Sequence, residues 1–242
     1  MTEVVALTED RITIIVDAND CAPLTVELAV ELAASVKGSL QALFIENTDL
    51  LSTSRLPFSC EITLTTGQQR ALNPELVETG YRRQAARFRQ LLEQKARQAV
   101  IHYSFESVRS RYQDLMSQTS TAGYLIMERR RHHPGGWQDA RNRLRKRILV
   151  LDGENQRLLK ALHFLCNKFP LHQMDILWLE DGGRVPAGAD LPHQVAIQSL
   201  PLSRLEAVLH SALDYVLVTR ALEPGLMNYL ISESHCPVIL VT

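Results

Sequence analysis

An internal repeat constrains the fold of this chain more than any other feature. Two segments begin alike, with a basic residue, a run of Val, Ile and Leu, an aspartate and a polar turn: RITIIVDAND at residues 11–20 and KRILVLDGEN at residues 146–155. A segment with apolar residues at helical spacing follows each of them. A buried strand that leads into a helix, twice, predicts two halves built from βαβ units.

Short apolar runs that alternate with helical patterns predict a mostly parallel sheet in each half. The predicted strands span residues 11–16, 39–45, 102–108, 124–127, 147–151, 174–179, 193–199, 214–219 and 236–241. The predicted helices span residues 24–36, 73–100, 112–118, 155–168, 202–212 and 224–232. Asn73, Pro74 and Glu75 are typical of a helix start, whereas residues 47–72 look irregular. Only the second half shows a clear last strand.

Composition divides the chain into three segments. Residues 1–130 form a predicted first domain with a long arginine-rich helix, and residues 131–146 a basic connector. Residues 147–242 form a shortened second domain. At 242 residues, the chain has room for two small domains.

The order and spacing of these segments resemble the universal stress protein family. In the first half the resemblance rests on RITIIVDAND, LFIEN and HYSFESVR, and in the second on RILVLDGEN, ALDYVLVTR and HCPVILVT. It implies an α/β fold with two flavodoxin-like domains, each degenerate, with parallel sheets in the strand order 3-2-1-4-5. Single-domain members pair their last strands in dimers, so a tandem chain can form that pair internally. We expect a homodimer that uses residues 238–241 or the missing edge of the first half.

The resemblance also bears on nucleotide binding. Family members that bind ATP carry a loop after the fourth strand with the pattern glycine, two residues, glycine, nine residues, glycine and a hydroxyl residue. After DYVLVT this chain has one glycine, Gly225, and Glu223 would repel a phosphate. The loop after YLIM is basic, but its glycine spacing differs. We therefore expect no bound cofactor, with ATP or AMP in the first domain as the alternative. The candidate nucleotide-binding residues are Asp17, Ala18, Ile45, Arg129, Gly135 and Gly136.

The aspartate that ends the first strand of each half has two interpretations. Asp17 and its counterpart Asp152 end the first strand of each half, beside the crevice where ligands bind in open α/β sheets. An aspartate in that position can instead cap the following helix.

An arginine cluster spans the connector and offers a different kind of site. The candidates for binding an anion or a partner protein are Arg130, Arg131, Arg141, Arg143 and Arg145. A solvated linker is the alternative. Nucleic acid is not expected as a partner, since 26 Lys and Arg residues against 27 Asp and Glu leave a net charge of -1.

No pattern indicates catalysis or a metal. The sequence lacks a G-x-S-x-G nucleophile motif, and His163 and Cys166 at i, i+3 provide only two ligands. The four cysteines form no CxxC pair, which favours free thiols in a reducing compartment. The N-terminal MTEVVALTED is not typical of a signal peptide, and no apolar run reaches membrane-spanning length. We expect a cytoplasmic protein.

Together these features predict a non-enzymatic, stress-response regulatory or adaptor protein that acts through protein–protein contacts with unidentified partners. The first alternative is an adenine-nucleotide sensor that uses the first domain, with weak ATP hydrolysis. The second is an anion or nucleic-acid module built on the arginine connector.

Overall fold

The computed structural model describes residues 10–18, 23–63, 65–111, 114–115, 119, 122–127, 145–151, 156–169, 173–180, 195–219 and 223–242. Its strands are β1 Arg11–Asp17, β2 Ser39–Asn47, β3 Cys60–Ile62, β4 Gln69–Ala71, β5 Tyr103–Ser110, β6 Tyr124–Met127, β7 Arg145–Leu151, β8 Gln173–Glu180, β9 Val195–Pro201, β10 Tyr215–Thr219 and β11 Val238–Val241. Its helices are α1 Pro23–Ser35, α2 Thr48–Ser54, α3 Pro74–Ala99, α4 Gln156–Lys168, α5 Leu205–Leu209 and α6 Pro224–Glu233, with a 3-10 turn at Leu202–Arg204.

The architecture is mixed α/β around one large, mostly parallel sheet. Its nine strands follow the order β5-β2-β1-β6-β11-β10-β7-β8-β9. Every neighbouring pair is parallel except β6 and β11, which are antiparallel. The strands of the first half therefore run opposite to those of the second. β3 and β4 form a separate antiparallel hairpin.

The join between the two halves corrects one expectation about association. β11 pairs with β10 on one side and with β6 on the other, in the register Val238↔Met127 to Val241↔Tyr124. Both of its backbone edges are hydrogen-bonded within the chain, so residues 238–241 present no edge to a second copy. The position next to β6, where the sequence lacks a last strand, is filled by β11.

Side chains of the sheet alternate between two apolar layers. Ile12 and Ile14 pack into a cluster with α1, α3 and α4, whereas Ile15 packs into a cluster on the other face with α5 and α6. Central strands that are apolar on both faces are typical of covered parallel sheets. The predicted long helix is confirmed as α3, whose N-cap Asn73 accepts the Glu75 N–H at 2.8 Å.

The predicted irregular stretch 47–72 contains regular structure. The Asn47 side chain accepts the N–H groups of Asp49 and Leu50, and thereby caps α2. The hairpin of β3 and β4 follows. Ser and Thr residues in these short elements look like a loop in the sequence, because their local hydrogen bonds also serve turns.

The C-terminus of α3 stores backbone strain. Val100 has φ 54, in the left-handed region, and its N–H donates to the carbonyls of Ala96 and Arg97. A β-branched residue is strained there, and a side chain that is 90% exposed gains little from packing. We expect Val100→Gly to raise the free energy of unfolding by about 1 kcal/mol in urea denaturation. Val77→Gly, inside the same helix, should lower it by about 1 kcal/mol or more, because it combines a poor helix former with lost packing against the core. Loss of stability in Val100→Gly would contradict the strain argument.

Candidate functional site

Three predicted site residues lie together at the carboxyl ends of β1 and β2. Asp17 is in register with Ile45 on the neighbouring strand, and Ala18 follows directly. The Ile45 side chain is 1% exposed and packs in the core, so only its backbone could contact a ligand. The edge formed by these strand ends is the usual ligand crevice of an open α/β sheet.

Tyr81 of α3 also lies near these strand ends, and the sequence did not indicate it as a site residue. Burial raises the pKa of Tyr81 to about 12; the negative charges of Asp17 and Glu46 add to the shift, and the backbone amide of Asn47 opposes it. No hydrogen bond of ordinary geometry forms to the buried hydroxyl. Tyr81 is one of the buried residues of α3, and its acidic neighbours come from other elements.

A network of ion pairs connects four elements at this edge. Glu46, on β2, accepts hydrogen bonds from Arg109 Nε at 2.8 Å and from Ser107 Oγ at 3.0 Å. Arg109 also lies 3.6 Å from Glu78 of α3. The pairing of β2 and β5 causes this contact, because Glu46 is in register with Arg109.

The same network includes residues of α2 and of its C-terminus. Arg111 Nε donates to Asp49 at 2.9 Å, and Arg55 lies 3.9 Å from Glu78. Arg109 and Arg111 are therefore both paired with carboxylates. Neither belonged to the predicted arginine cluster, because the sequence alone does not give the strand register that creates these pairs.

An exposed apolar segment extends from this network between α2 and α3. We call residues 55–63 and 65–72 the apolar finger. Its Leu56 is 60% exposed, Phe58 94% and Ile62 62%. Leu76, on the first turn of α3, is 60% exposed. Of the seven large apolar side chains that are exposed in the described part of the chain, three therefore lie in the finger and a fourth follows it on α3.

Local hydrogen bonds fix the shape of the finger. The β3–β4 hairpin is in the register Cys60↔Ala71, and the turn is closed by Gly67, whose φ of 68 suits glycine. Ser59 Oγ donates to the Thr53 carbonyl at 2.6 Å, which anchors the base of the finger to α2.

The charges of the finger are paired. Arg70 bonds to Glu61 across the hairpin, and Arg55 reaches Glu78 as described. The described residues of the finger therefore carry no unpaired charge.

The structure separates Arg145 from the Asp17 edge. Arg145 begins β7, and its guanidinium contacts Asp175 at 3.5 Å and Gln173 at 3.2 Å. The two halves run in opposite directions, so the start of β7 lies at the same end of the strands as Asp17. The two strands are four strand spacings apart, about 19 Å. Arg145 and the buried Lys146 are strand residues, so the predicted connector ends earlier than residue 146.

The other predicted site residues lie outside the described residues. They are the candidate nucleotide-binding residues Arg129, Gly135 and Gly136, the candidate anion-binding or partner-binding residues Arg130, Arg131, Arg141 and Arg143, and Asp152.

Two features were searched for in the described ranges: a cluster of metal ligands and a membrane-spanning helix. No three His, Cys, Asp or Glu side chains there come together as metal ligands. Burial raises the pKa of the Cys166 thiol to about 11, which disfavours the thiolate that a metal requires. Among the helices that the structure describes, none has the length and apolarity to cross a bilayer.

Comparison with known proteins assigns no family. No protein-family model matches the chain, and a search of curated proteins finds no match. Among solved structures, it is similar to a universal stress protein from Archaeoglobus fulgidus, at 12% identity over 95% of this chain and 96% of that one, with a TM-score of 0.41. It also shows similarity to the glycosyltransferase SnogD from Streptomyces nogalater, at 12% identity over 90% of this chain and 78% of that one, with a TM-score of 0.25.

Proposed function

We propose that this protein is a non-enzymatic regulatory or adaptor protein that binds partner proteins through the apolar finger. The observation that carries the proposal is Phe58, which is 94% exposed on a segment whose backbone is held by its own hydrogen bonds. A grouped set of exposed apolar side chains usually marks an interaction surface. Aromatic residues are enriched where protein interfaces are buried.

The rigidity and neutrality of the finger favour a protein partner. A segment that is already ordered loses less conformational freedom on binding. Its charges, on Arg55, Glu61 and Arg70, are paired within the chain. With these charges paired, the exposed apolar side chains Leu56, Phe58 and Ile62 suit an apolar pocket on another protein.

We further propose that the two halves are two universal-stress-type domains in tandem. In each half the first strand lies between the second and fourth: β2-β1-β6 in one and β8-β7-β10 in the other. The antiparallel pair β6–β11 joins the halves edge to edge. A homodimer remains a proposal, and it would have to use a surface other than the paired edges of β11.

A photo-crosslinking experiment tests the role of the finger. A photoreactive residue replaces Phe58 in one variant and Ile197, 40% exposed on β9, in a matched control. We expect a discrete adduct from position 58 alone, whose partner is identified by mass spectrometry and then purified. Phe58→Ser should weaken binding of that partner about tenfold or more, and Ile197→Ser should leave it unchanged. No adduct at position 58, or equal weakening by both substitutions, would overturn the proposal.

An adenine-nucleotide sensor is the second candidate function. The position of Asp17 and Ala18, at the carboxyl ends of β1 and β2, favours it. The test is to purify the protein without added nucleotide, denature it, and chromatograph the released small molecules, with Mg-ATP calorimetry alongside. Stoichiometric adenine nucleotide, together with binding heat that Asp17→Ala abolishes, would favour the sensor over the adaptor. Neither is expected if the finger carries the function.

A further inference from the structure

The middle of α3 carries a concentrated positive charge on its exposed side. We call four exposed arginines there the arginine patch: Arg82, Arg83, Arg87 and Arg89. No acidic residue occurs in the chain between Glu78 and Glu93. A protein whose net charge is only -1 therefore has a strongly basic local surface on this helix.

Ion pairing distinguishes the patch from the rest of α3. The other basic side chains of the helix are paired: Lys95 Nζ lies 3.0 Å from Glu27, and Arg97 lies 2.6 Å from Glu93. None of the patch arginines forms an ion pair with a residue that the structure describes. Arg82 donates to uncharged oxygens of its own helix, at 3.5 Å. The positive charge of the patch is therefore not balanced within the described part of the chain.

This arrangement of charges does not serve the helix itself. Arg83 and Arg87 are four residues apart, so their side chains are neighbours on the helix surface. Like charges at this spacing destabilise a helix, and uncharged helix formers would avoid the repulsion. The arginines therefore need an explanation outside the helix.

The patch lies next to exposed apolar residues. Leu76, 60% exposed, precedes Arg83 by seven residues, so both lie on the same side of α3. At the rise of an α-helix they are about 10 Å apart along its axis. Arg55, in the first part of the apolar finger, contacts Glu78 of the same helix at 3.9 Å. The patch therefore continues the candidate interface of the finger along α3.

A ligand of both surfaces must offer acidic groups beside an apolar pocket. Duplex nucleic acid supplies phosphates but no apolar pocket for Phe58. An anionic lipid surface supplies both, but a hairpin enters lipid by its turn, and burying polar groups there costs free energy. The turn of this hairpin is polar and exposed, with Thr65, Thr66 and Gln68. A protein surface can receive the apolar side chains and leave that turn in water.

We propose that the arginine patch binds an acidic surface of a partner protein, beside the apolar pocket that receives the finger. The inference rests on the proposed function in one respect, since it assigns both surfaces to one partner. Arginine suits this role because its guanidinium binds carboxylates through two parallel hydrogen bonds. Exposed charges around an apolar contact act mainly on the rate of association, by steering the two proteins together.

Photo-crosslinking at two positions tests whether one partner contacts both surfaces. A photoreactive residue replaces Arg87 in one variant and Phe58 in another, and the adducts are identified by mass spectrometry. We expect the same protein at both positions. That protein is then purified, and its association with the full chain is followed by stopped-flow fluorescence between about 50 and 300 mM salt.

A pair of double variants isolates the effect of the patch. Arg83→Gln with Arg87→Gln should lower the association rate constant about tenfold or more at the lowest salt, with a smaller change in dissociation. The difference should shrink as salt screens exposed charges. The control, Arg97→Gln with Arg145→Gln, changes the net charge equally, at arginines that are already paired. It should leave the association rate constant unchanged. Circular dichroism checks that both proteins are folded.

The outcomes separate this inference from the proposed function. Capture at position 58 but not at 87, or an equal effect of both double variants, would overturn the inference and leave the finger as an interface. Capture at position 87 alone would overturn both, since no partner would then contact the finger. Duplex DNA of about 20 base pairs and vesicles with about 30% phosphatidylserine serve as further probes. Tighter binding to either than to the purified protein, lost in the patch variant, would assign the patch to nucleic acid or lipid and overturn the inference.

Discussion

Replacement of Asp214 by Ala is expected to lower the free energy of unfolding by about 3–5 kcal/mol. The Asp214 carboxylate accepts hydrogen bonds from Lys146 Nζ at 3.2 Å and from the Arg147 N–H at 2.9 Å. Only 5% of the Asp214 side chain is exposed, and 7% of that of Lys146. The substitution removes the carboxylate that faces a buried ammonium group, and the Phe169 ring, 5.5 Å from Lys146 Nζ, only partly compensates for that loss.

Chemical denaturation followed by the fluorescence of the buried Trp178 measures this loss. Glu93→Ala is the matched control, because it breaks the exposed Arg97–Glu93 pair of α3 and should cost no more than about 0.5 kcal/mol. The double variant Lys146→Met, Asp214→Leu should recover much of the loss, because it removes both buried charges together. A cost in Asp214→Ala as small as that of Glu93→Ala would contradict the prediction.

Replacement of Ile239 by Asp is expected to cost more than about 4 kcal/mol and to promote association. Ile239 is 0% exposed, at the centre of β11, and is in register with Ile126 of β6. A carboxylate there has no partner in the apolar layer formed by α1, α3 and α4. Loss of the β6–β11 pairing would expose strand edges that join other chains.

Thermal unfolding and light scattering together report both parts of this prediction. The control is Ile197→Asp, the same substitution on β9, where the isoleucine is 40% exposed. It should change stability by about 1 kcal/mol or less and leave the light scattering at the wild-type level. If Ile239→Asp had the wild-type melting temperature and scattered no more light, the antiparallel β6–β11 pair would not be what holds the sheet together.

Local signals predicted the elements better than their assembly. The Asn73, Pro74 and Glu75 start and the helical pattern that follows it predicted α3 within a residue or two at each end, because capping and helical spacing are encoded in neighbouring residues. The buried run of β11 indicated a strand but not the direction of its neighbour. An apolar strand buried on both faces can pair either way, and only the folded chain shows the antiparallel contact with β6.

The residues of the candidate site also differ in how far the sequence indicates them. The sequence indicates Asp17 because an aspartate directly after an apolar strand is visible in a few neighbouring residues. Tyr81 and Arg109 were missed because their acidic neighbours come from other elements, as in the register of Glu46 with Arg109. The sequence predicts residues 47–72 as irregular, since neither a seven-residue helix nor a hairpin with strands of three residues has room for a clear periodicity.

The antiparallel seam between β6 and β11 also changes how the two halves respond to dilution. Partners on separate chains come apart when their concentration falls below the dissociation constant, whereas partners on one chain meet at a fixed effective concentration. This chain keeps its halves edge to edge however scarce the protein is. The two sides of the seam also need to fit only each other, so YLIM can face VILV, and neither strand has to be self-complementary.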